Sequence, residues 1–204
     1  MKRRLLVLGI TVVIVLTLLP AAALAYDFGG NTYNDHDYNA MVSFLNQPSA
    51  DGTHTNGWQL NPKYDPLDPT TWTGVTWTVL GDGELHAQRI AFGGTESLTG
   101  SLSLSDCTSL LFLSCSENQL TALDVSGCTA LGELFCSENQ LTSLDVSGCA
   151  ALNNLYCYEN QLTSLDISGC PTLGYMECNE NQLTSLDVSG RTTLYRLICN
   201  NNQL

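Results

Sequence analysis

The chain has 204 residues and carries seven Lys and Arg against 20 Asp and Glu, a formal net charge of −13. Nucleic acid and anionic membranes are held chiefly by basic side chains, so this balance argues against both as partners. It suits cationic partners or calcium without naming either.

The first 25 residues read as a processing signal. Lys2, Arg3 and Arg4 precede an apolar run from Leu5 to Leu19, Pro20 interrupts it, and Ala23-Leu24-Ala25 supplies small residues for cleavage before Tyr26. The run of 15 apolar residues is short for a membrane span, which needs about 20. Cleavage would remove three basic residues and no acidic one, leaving a secreted chain, Tyr26 to Leu204, with a net charge of −16 and no inserted segment.

Residues 26–94 do not repeat and read as a small α+β cap, needed because the first coil of a stacked array exposes an apolar end. Asp37 is the expected N-cap of a short helix whose Tyr38, Met41, Val42 and Leu45 form one apolar face. Asn46, Pro48 and the Asp51-Gly52 turn end it. Beyond Pro62, Pro66 and Pro69, the segment Trp72-Thr-Gly-Val-Thr-Trp77 alternates like a strand. Asp35, Asp37 and Asn39 match the first three ligand positions of a calcium-binding EF-hand loop. Ala40 then stands where glycine is needed and Asn46 where a bidentate glutamate is needed, so the pattern predicts no metal. The order helix, Pro-rich loop, Trp-Thr-Gly-Val, strand resembles the cap of plant-type extracellular leucine-rich-repeat proteins. That cap usually carries paired cysteines. No cysteine precedes Cys107 here, so Trp58, Trp72 and Trp77 are expected to hold it by packing.

Residues 95–204 are repetitive with a period of 21. Leu120-Thr-Ala-Leu-Asp-Val-Ser-Gly-Cys128 returns at Leu141 and Leu162, and again at Leu183 with Arg191 at the cysteine position. Between these segments lies Leu131-Gly-Glu-Leu-Phe-Cys-Ser-Glu-Asn-Gln-Leu141, with counterparts starting at Leu110, Leu152, Leu173 and Leu194. A degenerate turn precedes them, with Ile90 and Phe92 inside and Leu98, Leu102 and Leu104 echoing the repeat tail. The second block is the leucine-rich-repeat signature LxxLxLxxNxL with cysteine at its third apolar position. It predicts a right-handed leucine-rich-repeat solenoid, with a parallel sheet on the concave face and a mostly irregular convex side. Leu131, Leu134, Cys136 and Leu141 point inward, and Leu144, Val146, Cys149 and Leu152 continue the core along the convex half, where Gly148 permits a bend. Asn118, Asn139, Asn160, Asn181 and Asn202 form a ladder whose amides can satisfy buried backbone groups of adjacent coils.

Nine cysteines in a secreted chain would ordinarily suggest disulfides. Here Cys115, Cys136, Cys157, Cys178 and Cys199 share one inward position, and Cys107, Cys128, Cys149 and Cys170 share another. Stacked identical positions lie about 4.8 Å apart with parallel Cβ vectors, wider than the ~3.8 Å between Cβ atoms that a disulfide prefers. Reduced, buried thiol ladders are expected, and no C-x-x-C pair points to zinc. These ladders resemble the cysteine-ladder repeats of the internalin J type, in surface proteins of Gram-positive bacteria. The resemblance implies a bacterial, secreted or wall-attached, adhesin-like protein.

Concave strand positions are where such arrays usually bind. They are Phe112 and Ser114; Glu133, Phe135 and Ser137; Asn154, Tyr156 and Tyr158; Tyr175, Glu177 and Asn179; and Tyr195, Arg196 and Ile198. An aromatic stripe among them points to a protein or carbohydrate ligand. Two acidic files run alongside, Glu117, Glu138, Glu159 and Glu180 after the strand, and Asp124, Asp145, Asp166 and Asp187 on the convex side. Calcium could offset their repulsion, although hydrogen bonds to Ser, Thr or backbone N–H groups are the commoner solution. No G-x-S-x-G, H-E-x-x-H or phosphate-binding glycine loop occurs, and His36, His54 and His86 all lie in the cap, so no enzyme and no cofactor are predicted. Leu204 falls within a repeat, and a surface anchor, a catalytic domain or further repeats beyond it would make this region an adhesin, a targeting module or a spacer.

Overall fold

The structure, a computed structural model, describes residues 26–28, 30–50, 52–94 and 97–204. The expected leader, residues 1–25, and the side chain of Trp58 lie outside what is described. Among the described residues no helix is long and apolar enough to cross a membrane.

The cap begins with an antiparallel pair, β1 (Tyr26–Phe28) and β2 (Asn31–Tyr33), followed by helix α1 (Asp35–Leu45) and a short α2 (Asn56–Leu60). Strands β3 (Val75–Val79) and β4 (Leu85–Ala91) form an antiparallel hairpin. Tyr38, Met41 and Leu45 are buried, as the apolar spacing predicts, and Phe44 joins them by stacking on Phe92 at 5.7 Å. Trp72 and Trp77 lie 6.0 Å apart and contact Tyr38 and Tyr33, each at 5.0 Å, so rings rather than disulfides fill the cap.

Two expectations for the cap fail. Asn34, not Asp37, caps α1: its extended backbone lets its Oδ1 accept from the Asp37 N–H at 3.3 Å. Asp37 is buried and turned toward β4, where its Oδ2 accepts from the Ala87 N–H at 2.9 Å. Asp35, Asp37 and Asn39 are therefore helical and cannot form a calcium loop. Trp72 closes a 3-10 turn, Pro69–Thr71, and the strand starts only at Val75. Between them Gly74 has φ +89, and any side chain there would run into the carbonyl of Ala91.

From β4 the sheet continues in parallel through β6 (Phe112–Ser114), β8 (Glu133–Phe135), β9 (Asn154–Tyr156), β10 (Tyr175–Glu177) and β11 (Arg196–Ile198). A second parallel pair, β5 (Thr99–Ser103) and β7 (Gln119–Asp124), lies on the convex side. The fold is thus the expected parallel solenoid with a largely irregular convex face. Its core is one continuous file of leucines and cysteines that begins at Ile90 and Phe92. The cap closes that file partly by imitating a coil. Gln47 both donates to and accepts from the backbone of Ser101, and Asn56 does the same for Thr99. An otherwise bare edge of β5 is covered in this way.

Each ladder asparagine bridges two coils. Asn160 Nδ2 donates to Cys136 O of the preceding coil at 3.0 Å and to Cys157 O and Tyr158 O of its own, while its Oδ1 accepts from the Leu141 N–H at 3.0 Å. Asn139, Asn181 and Asn202 repeat the pattern one coil earlier or later. Asn118 does the same toward the cap, through Phe92 O and Leu98 N. The residue before each asparagine takes a left-handed backbone, with φ between 50° and 57° at Glu117, Glu138, Glu159, Glu180 and Asn201. For glutamate this costs roughly 1 kcal/mol or more. Gly148 does not serve as a left-handed bend; a Cβ there would lie 2.7 Å from Gly127 N, so glycine is needed for close approach of the coils.

All nine cysteines are unpaired, and only Cys199 is more than slightly exposed. The convex thiols donate to carbonyls one coil back: Cys128 Sγ to Leu104 O at 3.1 Å, Cys149 Sγ to Val125 O at 3.5 Å and Cys170 Sγ to Val146 O at 3.2 Å. In the last repeat the Arg191 guanidinium takes that place, donating to Ile167 O at 3.3 Å and Ser168 O at 3.1 Å. The position therefore requires a donor rather than a sulfur. Burial pushes the thiols of Cys115, Cys128, Cys149 and Cys178 up to about 12, so they stay protonated and unreactive at neutral pH. Thiol titration under non-reducing conditions is expected to find few reactive groups in the native protein and nine after denaturation. A count near one after denaturation would mean four disulfides and would contradict the ladders.

Candidate functional site

The concave sheet presents its outward side chains in columns set by the strand register. Arg89, Phe112, Glu133, Asn154, Tyr175 and Arg196 occupy one column, and Ala91, Ser114, Phe135, Tyr156, Glu177 and Ile198 the next. The aromatic rings form one file that crosses between these columns: Phe112 meets Phe135 diagonally at 5.5 Å, Phe135 stacks on its directly opposed neighbour Tyr156 at 4.5 Å, and Tyr156 stacks diagonally on Tyr175 at 5.0 Å. Diagonal neighbours in a sheet are within reach for aromatic side chains, and such pairs are worth about 0.5–1.5 kcal/mol beyond burial.

Tyr195 precedes β11 rather than lying in it, and meets Tyr175 edge-on at 6.2 Å while remaining 73% exposed. Tyr158 stands one column further and donates to Glu138 Oε1 at 3.4 Å. Ser137 is buried, which takes it out of the accessible face. Two guanidinium groups complete the file. Arg89 lies 3.5 Å from the centroid of Phe112, and Arg196 lies 5.2 Å from that of Tyr175. Such cation–π contacts contribute about 0.5–1 kcal/mol each at exposed sites. Sequence reasoning missed Arg89 because it belongs to the cap, although the inward alternation of Ile90 and Phe92 already places residue 89 on the concave side.

The phenols of Tyr156, Tyr158 and Tyr175 are neutral at pH 7. Tyr156 is raised by loss of hydration and by the Glu177 carboxylate, Tyr158 by loss of hydration and by Glu138, and Tyr175 first by its short hydrogen bond to Glu177 and then by loss of hydration. The face therefore offers ring edges, hydroxyls and carboxylates, with positive charge only at Arg89 and Arg196.

The two acidic files differ in their electrostatics. On the convex side each Asp accepts from the N–H two residues on: Asp124 from Ser126, Asp145 from Ser147, Asp166 from Ser168 and Asp187 from Ser189. Burial would raise Asp124, but hydrogen bonds from Ser126 and Ser103 lower it overall. Asp166 and Asp187 are lowered by hydrogen bonds from Ser168 and Ser189. Asp124, Asp145 and Asp166 line a shallow groove of about 420 Å³ together with Ser143, Ser147 and Ser164. In the other file Glu159 is raised by loss of hydration and by Glu138 and Glu180 on either side.

No protein-family model matches the chain, and no curated protein matches it. Among solved structures it is similar to the functional domain of InlJ from Listeria monocytogenes, which includes a cysteine ladder. Both chains carry such a ladder. They are 34% identical over 47% of this chain, with a TM-score of 0.39, and the match spans 26% of the other chain.

The opposite shifts of Asp166 and Glu159 predict opposite pH behaviour at the two positions. A lowered Asp stabilises the fold fully above its unfolded value of about 3.9, and that contribution is lost as pH falls through the folded value. A raised Glu works against the fold when ionised and is relieved as pH falls. Thermal unfolding at low ionic strength and neutral pH is therefore expected to show Glu159→Gln stabilised and Asp166→Ala destabilised, with both differences shrinking on acidification. A destabilised Glu159→Gln variant would contradict the account of the glutamate file.

Proposed function

We propose that this is a secreted binding protein, adhesin-like rather than catalytic, which captures a protein or carbohydrate ligand at the cell surface on the concave face. The single observation that carries the reading is the continuous aromatic file. Five rings from five successive coils are held on a rigid parallel sheet, half-buried against one another, and end in a largely exposed Tyr195. Aromatic groups held on a rigid surface lose little entropy on binding and are over-represented among residues that dominate interfaces. The candidate contacts are Phe112, Glu133, Phe135, Asn154, Tyr156, Tyr158, Tyr175, Glu177, Tyr195 and Arg196. The basic start, apolar run and Ala-Leu-Ala site at the N-terminus support export, and the acidic composition speaks against nucleic acid.

Binding would be measured on immobilised panels of purified extracellular proteins and polysaccharides. A Tyr156→Ala/Tyr175→Ala double variant is expected to bind its best target several-fold or more weakly, since interface aromatics often contribute about 1–2 kcal/mol or more. Undiminished binding by a folded double variant would remove the concave face from this reading.

A further inference from the structure

The cap holds a second cluster that concave-face binding does not use. At the tip of the β3–β4 hairpin, Asp82, Glu84 and His86 bring one donor atom each to within 4.8 Å of one another. His86 is buried, with its Nε2 2.8 Å from Asp82 Oδ2 and its Nδ1 3.4 Å from Asp37 Oδ2. We propose that this cluster binds one divalent transition-metal ion of the zinc class, with His86 Nε2, Asp82 and Glu84 as protein ligands and water completing the shell.

The donor set points to this class of ion. An imidazole with two carboxylates favours zinc and its neighbours, whereas calcium and magnesium take oxygen donors alone. Donors about 2.0–2.2 Å from a common ion lie roughly 3–4 Å from one another, so three atoms already within 4.8 Å need only small side-chain rotations. The ion would take the place of the proton shared by His86 Nε2 and Asp82 Oδ2, and that proton leaves to solvent.

The surroundings are those of a prepared site. Asp37 is pinned by the Ala87 N–H and stands behind the imidazole, the arrangement in which a second carboxylate orients a ligating histidine. Asn34 donates to Glu84 Oε2 at 3.0 Å, leaving the other oxygen free to coordinate. The Glu84 N–H occupies Asp82 Oδ1 at 3.0 Å, which leaves Oδ2 facing the histidine. Among the described residues no Lys or Arg pairs with these carboxylates. Three carboxylates, those of Asp37, Asp82 and Glu84, thus meet one imidazole. The Asp82 side chain is 51% exposed, so an ion reaches the cluster from solvent.

The test is titration of the full chain with ZnCl2 by calorimetry and with CoCl2 by absorption spectroscopy. One ion per chain is expected at micromolar affinity, with a cobalt spectrum free of thiolate charge-transfer bands. Asp82→Asn, at an exposed position, is expected to weaken binding about tenfold or more while the chain remains folded. Asp37→Asn should weaken it by a similar factor, and His86→Gln should abolish it. No binding at millimolar metal, thiolate bands in the cobalt spectrum, or undiminished binding by folded Asp82→Asn and His86→Gln variants would each overturn the proposal.

Discussion

A coil of 21 residues cannot satisfy its own backbone. Among the described residues the coils contain no helix, and their three-residue strands pair only with the coils before and after. Where the chain leaves the strand, carbonyls such as Cys136 O and amides such as Leu141 N are buried, and each would cost about 1–3 kcal/mol unpaired. One asparagine per coil resolves this, because a side-chain amide offers two donors and an acceptor on one short stem. Its stem reaches the preceding coil through both ends, so coil spacing, strand register and the left-handed turn beside it follow from one residue type. The leucines fill the interior, but leucines alone would permit sliding. The asparagines set the register.

That constraint explains what varies and what does not. A position that feeds the ladder or the core meets its own copy one coil on, and the copy must fit the same hole; hence cysteine, small enough to stack on itself and able to donate weakly to a carbonyl. Where Arg191 replaces cysteine, its guanidinium bonds Ile167 O, the counterpart of the carbonyls taken by the thiols. Concave positions carry no such obligation. Aromatic, acidic, amide and basic groups all occur there, and the sheet still holds them at fixed separation. The left-handed glutamates are a cost of the same turn: they project like charges at coil spacing, and Glu159 is raised by loss of hydration and then by the glutamates on either side.

Much of the fold was legible because periodicity is a direct statement about contact. A residue that recurs every 21 positions stacks on itself, so the inward Leu, Cys and Asn files, the parallel sheet and the continuation through Ile90 and Phe92 could be read without coordinates. The cap lacked that redundancy. Asp37 looks like a helix cap by residue type, but the nearby Ala87 N–H draws its carboxylate away, and Asn34 can take over because its backbone is already extended. Trp72-Thr-Gly-Val-Thr-Trp77 alternates like a strand, yet a positive φ at Gly74 breaks it. On the concave face, residue identities gave the aromatic content but not the continuous path, which crosses between two columns by side-chain reach. The alternation of Asp82, Glu84 and His86 was visible in the sequence, but their convergence with Asp37, 45 residues or more earlier, depends on a hairpin docking against a helix in no repeating pattern.

Amide hydrogen exchange tests the central claim most directly. The N–H groups of Leu120, Leu141 and Leu162 donate to asparagine oxygens of the following coil, whereas those of Cys115, Cys136 and Cys157 donate within the sheet. If the asparagine ladder holds the coils in register, the two sets exchange together, at the slow rate set by unfolding of the array. Rapid exchange at the leucines beside persistent protection at the cysteines would mean that the sheet and core hold the solenoid without the ladder.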